Sequence, residues 1–330
     1  MSALLSVRDL EVAFPIGGLL SRLRGGPADI RGVAGVSFDL AAGETLALVG
    51  ESGSGKTTLA RAVAGLGRNV SGNVTFEGKD ILAMDAAARH RLRRDVSFIF
   101  QDAVSSLSPR LTVRQLLEEP FRIHGETPDN MDAKIADLLD LVSLPPAMAD
   151  RRPHELSGGQ ARRVGVARAL ALDPKLIIAD EPTAGLDVSV QGEVLNLLND
   201  LRERLGLALL VITHNLNIVR HIADRMAIMY LGRFVELGET DTVFHDPRHP
   251  YTAALLSANP VVDPEAAPER ITLEGEMPSL LRRPAGCEFH GRCPFARELC
   301  RTHAPEVTQD AARRFTCHYP VGVASFLSQS

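Results

Sequence analysis

Apolar and polar residues alternate through Leu4, Val7, Leu10, Val12 and Phe14, and again through Val36-Ser37-Phe38-Asp39-Leu40. That period of two predicts strands with one buried face. The run 45–49 is apolar at nearly every position, as are 176–179 and 207–212, which predicts strands covered on both faces. Helical spacing follows at 57–64, 160–172 and 191–205. Strands of that kind alternating with helices predict an α/β core built on a mainly parallel sheet. Between residues 111 and 144 the spacing is helical with no strand pattern, so an all-helical insert is expected there. The segment 17–29 is rich in Gly and Arg and reads as an exposed loop. Past Pro247 periodicity fades and Pro and Gly become frequent, which predicts a small, irregular, separate C-terminal unit.

Composition narrows the function classes. The chain has 330 residues, 45% hydrophobic and 23% charged, enough for about two globular domains. Asp plus Glu number 41 against 36 Lys plus Arg, for a net charge of -5. That balance argues against an extended nucleic-acid-binding face. No run approaches the roughly 18 apolar residues of a membrane-spanning helix, and the first ten residues carry no secretory-signal pattern. A cytosolic location follows.

One segment carries clear chemistry. Gly50-Glu51-Ser52-Gly53-Ser54-Gly55-Lys56-Thr57, followed by Thr58, fits G-x-x-x-x-G-K-[ST] and sits between a buried strand and a helix. In that context the glycines let backbone N–H groups curl around phosphate oxygens, with a helix N-terminus behind them. Lys56 is placed to reach the β- and γ-phosphates, and the Thr57 hydroxyl to bind Mg²⁺. Asp180, at the end of the 176–179 strand, can meet the same Mg²⁺. Glu181 beside it can act as general base on water. His214 follows another buried strand and can contact the γ-phosphate.

With Leu156-Ser157-Gly158-Gly159-Gln160 between these two motifs, the chain resembles the ATP-binding subunits of ABC transporters over about residues 4–245. The resemblance implies a P-loop NTPase core with an antiparallel β subdomain and a helical insert at about 102–158. It makes Gln101 the Q-loop residue, which also faces Mg²⁺, Asp187 the D-loop residue and His214 the switch histidine, and it sets Phe14 against adenine. Ser157, Gly158, Gly159 and Gln160 would grip the ATP of a second ATPase subunit, a heterodimer partner or a second copy. Phe100-Gln101-Asp102-Ala103-Val104-Ser105-Ser106-Leu107-Ser108-Pro109-Arg110 and His249-Pro250-Tyr251-Thr252 resemble the oligopeptide/dipeptide importer branch, and the long 15–31 loop its F-type subunit. Departures are Ala103 for a frequent Pro, Ala184-Gly185-Leu186-Asp187 in the D-loop, and Ala161 after the signature. The implied machine is an ATPase at the cytoplasmic face of the inner membrane. It would drive uptake of di- or oligopeptides, or of a related small solute such as nickel, through two separate permease subunits fed by an external binding protein, with no nucleic acid involved. The competing reading is a soluble ABC ATPase acting on ribosomes or DNA, although a single P-loop and no heptad run fit that class poorly.

The four cysteines, Cys287, Cys293, Cys300 and Cys317, stand as C-x5-C-x6-C-x16-C within residues 246–330. Four thiols so close in a chain with no other cysteine suggest a metal site. Spacing alone leaves a Cys₄ zinc, an iron–sulfur cluster and plain packed thiols all open. The resemblance to importer extensions that carry a [4Fe–4S] cluster, and the lack of a C-x2-C gap, favour the cluster.

Overall fold

The computed structural model describes residues 3–16, 29–102, 105–259 and 270–322. The loop predicted at 17–29 therefore lies, except for Asp29, outside the described residues, as does Ala103. Two sheets organise the remainder. The first is antiparallel, in the order β2-β1-β4-β5, with β1 at Leu5–Pro15, β2 at Asp29–Leu40, β4 at Val70–Phe76 and β5 at Lys79–Asp80. The second has the order β11-β12-β10-β9-β3-β8-β7-β6. Here β3 is Thr45–Val49, β6 Val96–Ile99, β7 Leu176–Asp180, β8 Ala208–Thr213 and β9 Arg225–Tyr230. These five run parallel, while β10 (Arg233–Glu239), β12 (Arg313–Phe315) and β11 (Thr308–Asp310) add antiparallel strands on one side.

Every residue of β3, β7 and β8 is buried. Successive side chains leave a strand on opposite faces, so Leu46 and Leu48 pack toward the antiparallel sheet with Leu5, Phe38 and Leu59. On the other face, Ile177, Ala179, Leu209 and Val211 pack against helices. Each fully buried aliphatic side chain contributes about 1.5–3 kcal/mol to this three-layer stack.

The helices around the sheet are α1 (Lys56–Val63), α2 (Ala86–Asp95), α3 (Val113–His124), α4 (Met131–Leu141), α5 (Gly158–Leu170), α6 (Val188–Leu205) and α7 (Leu216–Ile222). The insert predicted between 111 and 144 is helical as expected. Thr112 opens α3 with a reciprocal capping box to Gln115, and α3 stops at Gly125 in the left-handed region, where glycine has no Cβ penalty. Leu116, Leu117 and Phe121 of α3 then meet Ile135, Leu138 and Leu139 of α4 and Val164 of α5.

The C-terminal region is joined to the core. After α8 (Thr240–His245), α9 (Pro250–Ser257) and α10 (Glu298–Thr302), β12 pairs with β10. Phe289 is fully buried against Tyr230 and Tyr251. A segment with so few apolar residues buries them by sharing the core of the larger unit, so the expected separate unit is welded to the sheet. Among the described residues no helix is long and apolar enough to cross a membrane.

Candidate functional site

The site lies at the carboxyl ends of the parallel strands, where open α/β sheets hold their ligands. β3 ends at Val49 and the chain turns through Gly50–Gly55 into α1. Gly50 has φ 155°, and a Cβ there would fall 2.3 Å from the Met229 carbonyl; at Gly55, with φ 105°, it would fall 2.3 Å from that of Gly32. Only glycine fits either position. Lys56 is buried, and its Nζ donates to the carbonyls of Gly50 at 2.7 Å and Glu51 at 2.9 Å. Burial pushes its pKa down, against the pull of Glu181, Asp180 and Glu51. An ammonium so poorly hydrated gains strongly from phosphate oxygens.

Across from it, the Thr57 hydroxyl donates to Asp180 Oδ1 at 3.1 Å. Burial raises the Asp180 pKa more than this bond lowers it. A hydroxyl and an under-compensated buried carboxylate form a donor set that suits a hard divalent cation.

Glu181 is the hub of the site. Its backbone has φ 49°, a conformation that costs a non-glycine residue of order 1 kcal/mol. Three contacts hold it there: its N–H donates to the Ile212 carbonyl at 2.9 Å, and its carbonyl accepts from Ala184 N–H at 3.1 Å and Arg162 Nη1 at 3.1 Å. The side chain then points between two partners. His214 Nδ1 lies 3.0 Å from Oε1, and Gln101 Nε2 donates to Oε2 at 3.4 Å. Three loops, after β6, β7 and β8, thus place Gln101, Glu181 and His214 on one carboxylate.

Phe14, at the end of β1, is 47% exposed. Its ring lies against the Gly32 backbone, with the Thr58 methyl also beside that glycine. The signature residues gather elsewhere. Ser157 Oγ accepts from Gln160 N–H at 3.2 Å, and Gln160 Oε1 accepts from Ser157 N–H at 3.0 Å, a capping box that opens α5. Asp187 caps α6 by accepting from Val190 N–H at 3.0 Å; that bond and one from Ser189 hold its carboxyl below the usual range. Ser157, Gly158, Gly159, Gln160, Leu186 and Asp187 share the wall of a cavity of about 630 Å³. Two helix N-termini therefore face one opening, a setting suited to an anion.

Two groups of contacts were not legible in the sequence. Arg162 is buried and clamps both Glu181 and Ala184 through their carbonyls, and nothing but its helical spacing marked it. Glu51 is held by Tyr251 and Arg292 from the C-terminal region, at sequence separations that no local motif reveals.

Cys287, Cys293, Cys300 and Cys317 all line one small cavity of about 10 Å³ with Phe289, Phe295 and Tyr319. Burial pushes the Cys293 thiol up to about 11 and that of Cys317 up to about 12. Four converging thiols match a cluster or zinc as a donor set. Among the described residues, however, no group of His, Cys, Asp or Glu is arranged to hold a metal ion, so the expectation of a metal centre is not met by this geometry.

Known proteins resemble the chain over most of its length. The family described as ABC transporter matches residues 33–184, and the family described as oligopeptide/dipeptide transporter, C-terminal region, matches residues 235–300. The chain is 45% identical to the oligopeptide transport ATP-binding protein AppF of Bacillus subtilis, over 96% of this chain and 97% of that one. It is 44% identical to the oligopeptide transport ATP-binding protein OppF of Salmonella typhimurium, over 95% of each. With the di/tripeptide transport ATP-binding protein DppF of Pseudomonas aeruginosa it shares 42% identity, over 97% of this chain and 98% of that one. Among solved structures, the dimeric post-hydrolysis state of the ATP-binding cassette MJ0796 bound to ADP and Pi superimposes with a TM-score of 0.63. That match is at 27% identity and covers 72% of this chain and 98% of that one.

Proposed function

The chain belongs to the ATP-binding subunits of ABC peptide importers, and from that premise we propose how its residues serve ATP-driven uptake of di- and oligopeptides. The observation that carries the reading is the carboxylate of Glu181, held between His214 and Gln101 beside the Thr57–Asp180 pair. Residues 50–58 cradle the phosphates, and Phe14 offers its exposed ring to the base. Glu181 takes the proton of a water whose oxygen attacks the γ-phosphorus as the bridging β–γ oxygen bond breaks and ADP leaves. His214 and Gln101 orient that carboxylate. Thr57 and Asp180, with Gln101 nearby, would hold Mg²⁺, which neutralises phosphate charge when bound. Ser157 to Gln160 and Asp187 serve the ATP of a second ATPase subunit, which places the two nucleotides at the interface of a dimer.

The ATPase then spans residues 1–245, with its helical insert at 102–158, and the extension spans 246–330. It works at the cytoplasmic face of the membrane with two permeases and an external binding protein. Peptide-importer relatives aligned over nearly the whole chain disfavour a ribosome- or DNA-directed ATPase. The decisive experiment reconstitutes the chain with its permeases in vesicles and measures ATP-dependent uptake of a labelled peptide. Uptake that is indifferent to ATP, or to Lys56→Ala, would refute the proposal.

A further inference from the structure

The C-terminal extension grips the phosphate loop directly. Arg292 Nη1 donates to Glu51 Oε2 at 2.9 Å and Nη2 donates to Oε1 at 3.1 Å, a two-pronged pair. The Arg292 side chain is only 9% exposed. On the backbone side, the Glu51 N–H donates to the hydroxyl of fully buried Tyr251 at 3.0 Å. The Glu51 carbonyl accepts from Lys56 Nζ at 2.9 Å. Side chain, amide and carbonyl of this one residue are therefore all engaged, the first two by residues 241 and 200 positions away.

The location matters more than the strength of the pair. Glu51 follows Gly50, whose approach to the Met229 carbonyl already leaves no room for a shift on that side. An arginine fork on a carboxylate is directional as well as strong. Holding Glu51 from outside thus fixes the first half of the turn and the carbonyl on which Lys56 rests. Behind the fork the support is rigid: Phe289 packs edge-on to Tyr230, with ring centroids 5.3 Å apart, and lies 5.4 Å from Tyr251.

We propose that Arg292 is a positioning residue for ATP binding. Through Glu51 it sets the path of the Gly50–Gly55 turn and so the place where Lys56 and the loop amides meet the phosphates. The inference rests on the ATPase reading and extends it, because it gives the extension a part in nucleotide affinity.

The test uses the full chain with Arg292→Ala, Arg292→Lys, Glu51→Gln and the double variant Glu51→Gln/Arg292→Ala. A fluorescently labelled ATP gives Kd, and phosphate release gives kcat and KM. Arg292→Ala is expected to raise Kd and KM about tenfold with kcat changed less than about threefold, since coupled neighbours are worth roughly one such factor. Arg292→Lys should recover only part of the loss, because an ammonium cannot form the fork. Glu51→Gln should match Arg292→Ala, and the double variant should be no worse than either. A purely structural anchor would lower Tm in Arg292→Ala and leave Kd within twofold of the parent, and that result overturns the proposal. If Arg292→Ala does not fold, Glu51→Gln decides by the same twofold criterion. A parent chain that binds no labelled ATP would instead overturn the ATPase reading itself.

Discussion

Glu181 Oε1 lies 3.0 Å from His214 Nδ1, so the loops after β7 and β8 share a hydrogen bond across adjacent strands. A carboxylate only accepts, which puts the proton of this contact on the imidazole. The pair fixes one oxygen of Glu181 and leaves the other to the longer contact from Gln101. That arrangement suits a base that must be aimed yet still reach water.

Glu181→Gln keeps the shape of this contact and removes the base. Hydrolysis is expected to fall by about 10² to 10⁴-fold, with labelled-ATP affinity within a few-fold of the parent and a longer-lived ATP-bound dimer on gel filtration. Turnover at the parent rate would assign the base elsewhere.

Asp180 predicts a reversal of stability by metal. Burial raises its carboxyl pKa, so the folded chain holds that proton more tightly than the unfolded chain. The contribution is then fully present below the unfolded value, near pH 4, and is lost as pH rises through the raised native value. At pH 7 in EDTA, Asp180→Asn should therefore melt above the parent. Adding Mg²⁺ and ATP should raise Tm for the parent and far less for the variant. A variant that melts lower in EDTA would contradict this.

His249 has the opposite sign. Complete burial pushes its pKa from 6.5 down to about 3, so its contribution is present above pH 6.5 and lost as pH falls toward 3. The slope approaches about 1.4 kcal/mol per pH unit. His249→Asn, which retains an acceptor for the Tyr251 N–H that His249 Nδ1 now receives at 3.1 Å, should unfold in denaturant with a shallower loss between pH 7 and 5. Equal slopes would place the acid sensitivity in other groups.

The thiol cavity is tested by analysis of protein purified without oxygen. About four irons and four sulfides per chain would show a cubane on the four thiolates, against the arrangement of the thiols seen here. Near-stoichiometric zinc without sulfide would replace the cluster with a single-ion site, and neither metal would leave the thiols as packing.

The core strands were legible because burial on both faces strips polar residues from them. The run 45–49 is β3 to the residue, 176–179 stops one residue short of the end of β7, and 207–212 is shifted one residue early at both ends of β8. Helix starts read late: α5 begins at Gly158 rather than 160, because two glycines of low helix propensity mask a start that the Ser157 cap sets. β4 carries Ser71-Gly72-Asn73 and β6 has only four residues, so neither shows a period. The phosphate loop and signature are contiguous, and their residues were all readable. The clamps from Arg162, Tyr251 and Arg292 depend on the tertiary fold, which leaves no local trace.

β12 pairs along β10 and so covers the flank of the main sheet. The protecting strand is synthesised well after the strand it protects, by roughly 75 residues from Glu239 to Phe315, or about 4–15 s of translation at 5–20 residues per second. During that interval the backbone of β10 is an open template for another chain's strand. Aggregation during synthesis, and its relief by chaperones that hold nascent chains, should therefore depend on the last fifth of the sequence more than on the ATPase motifs.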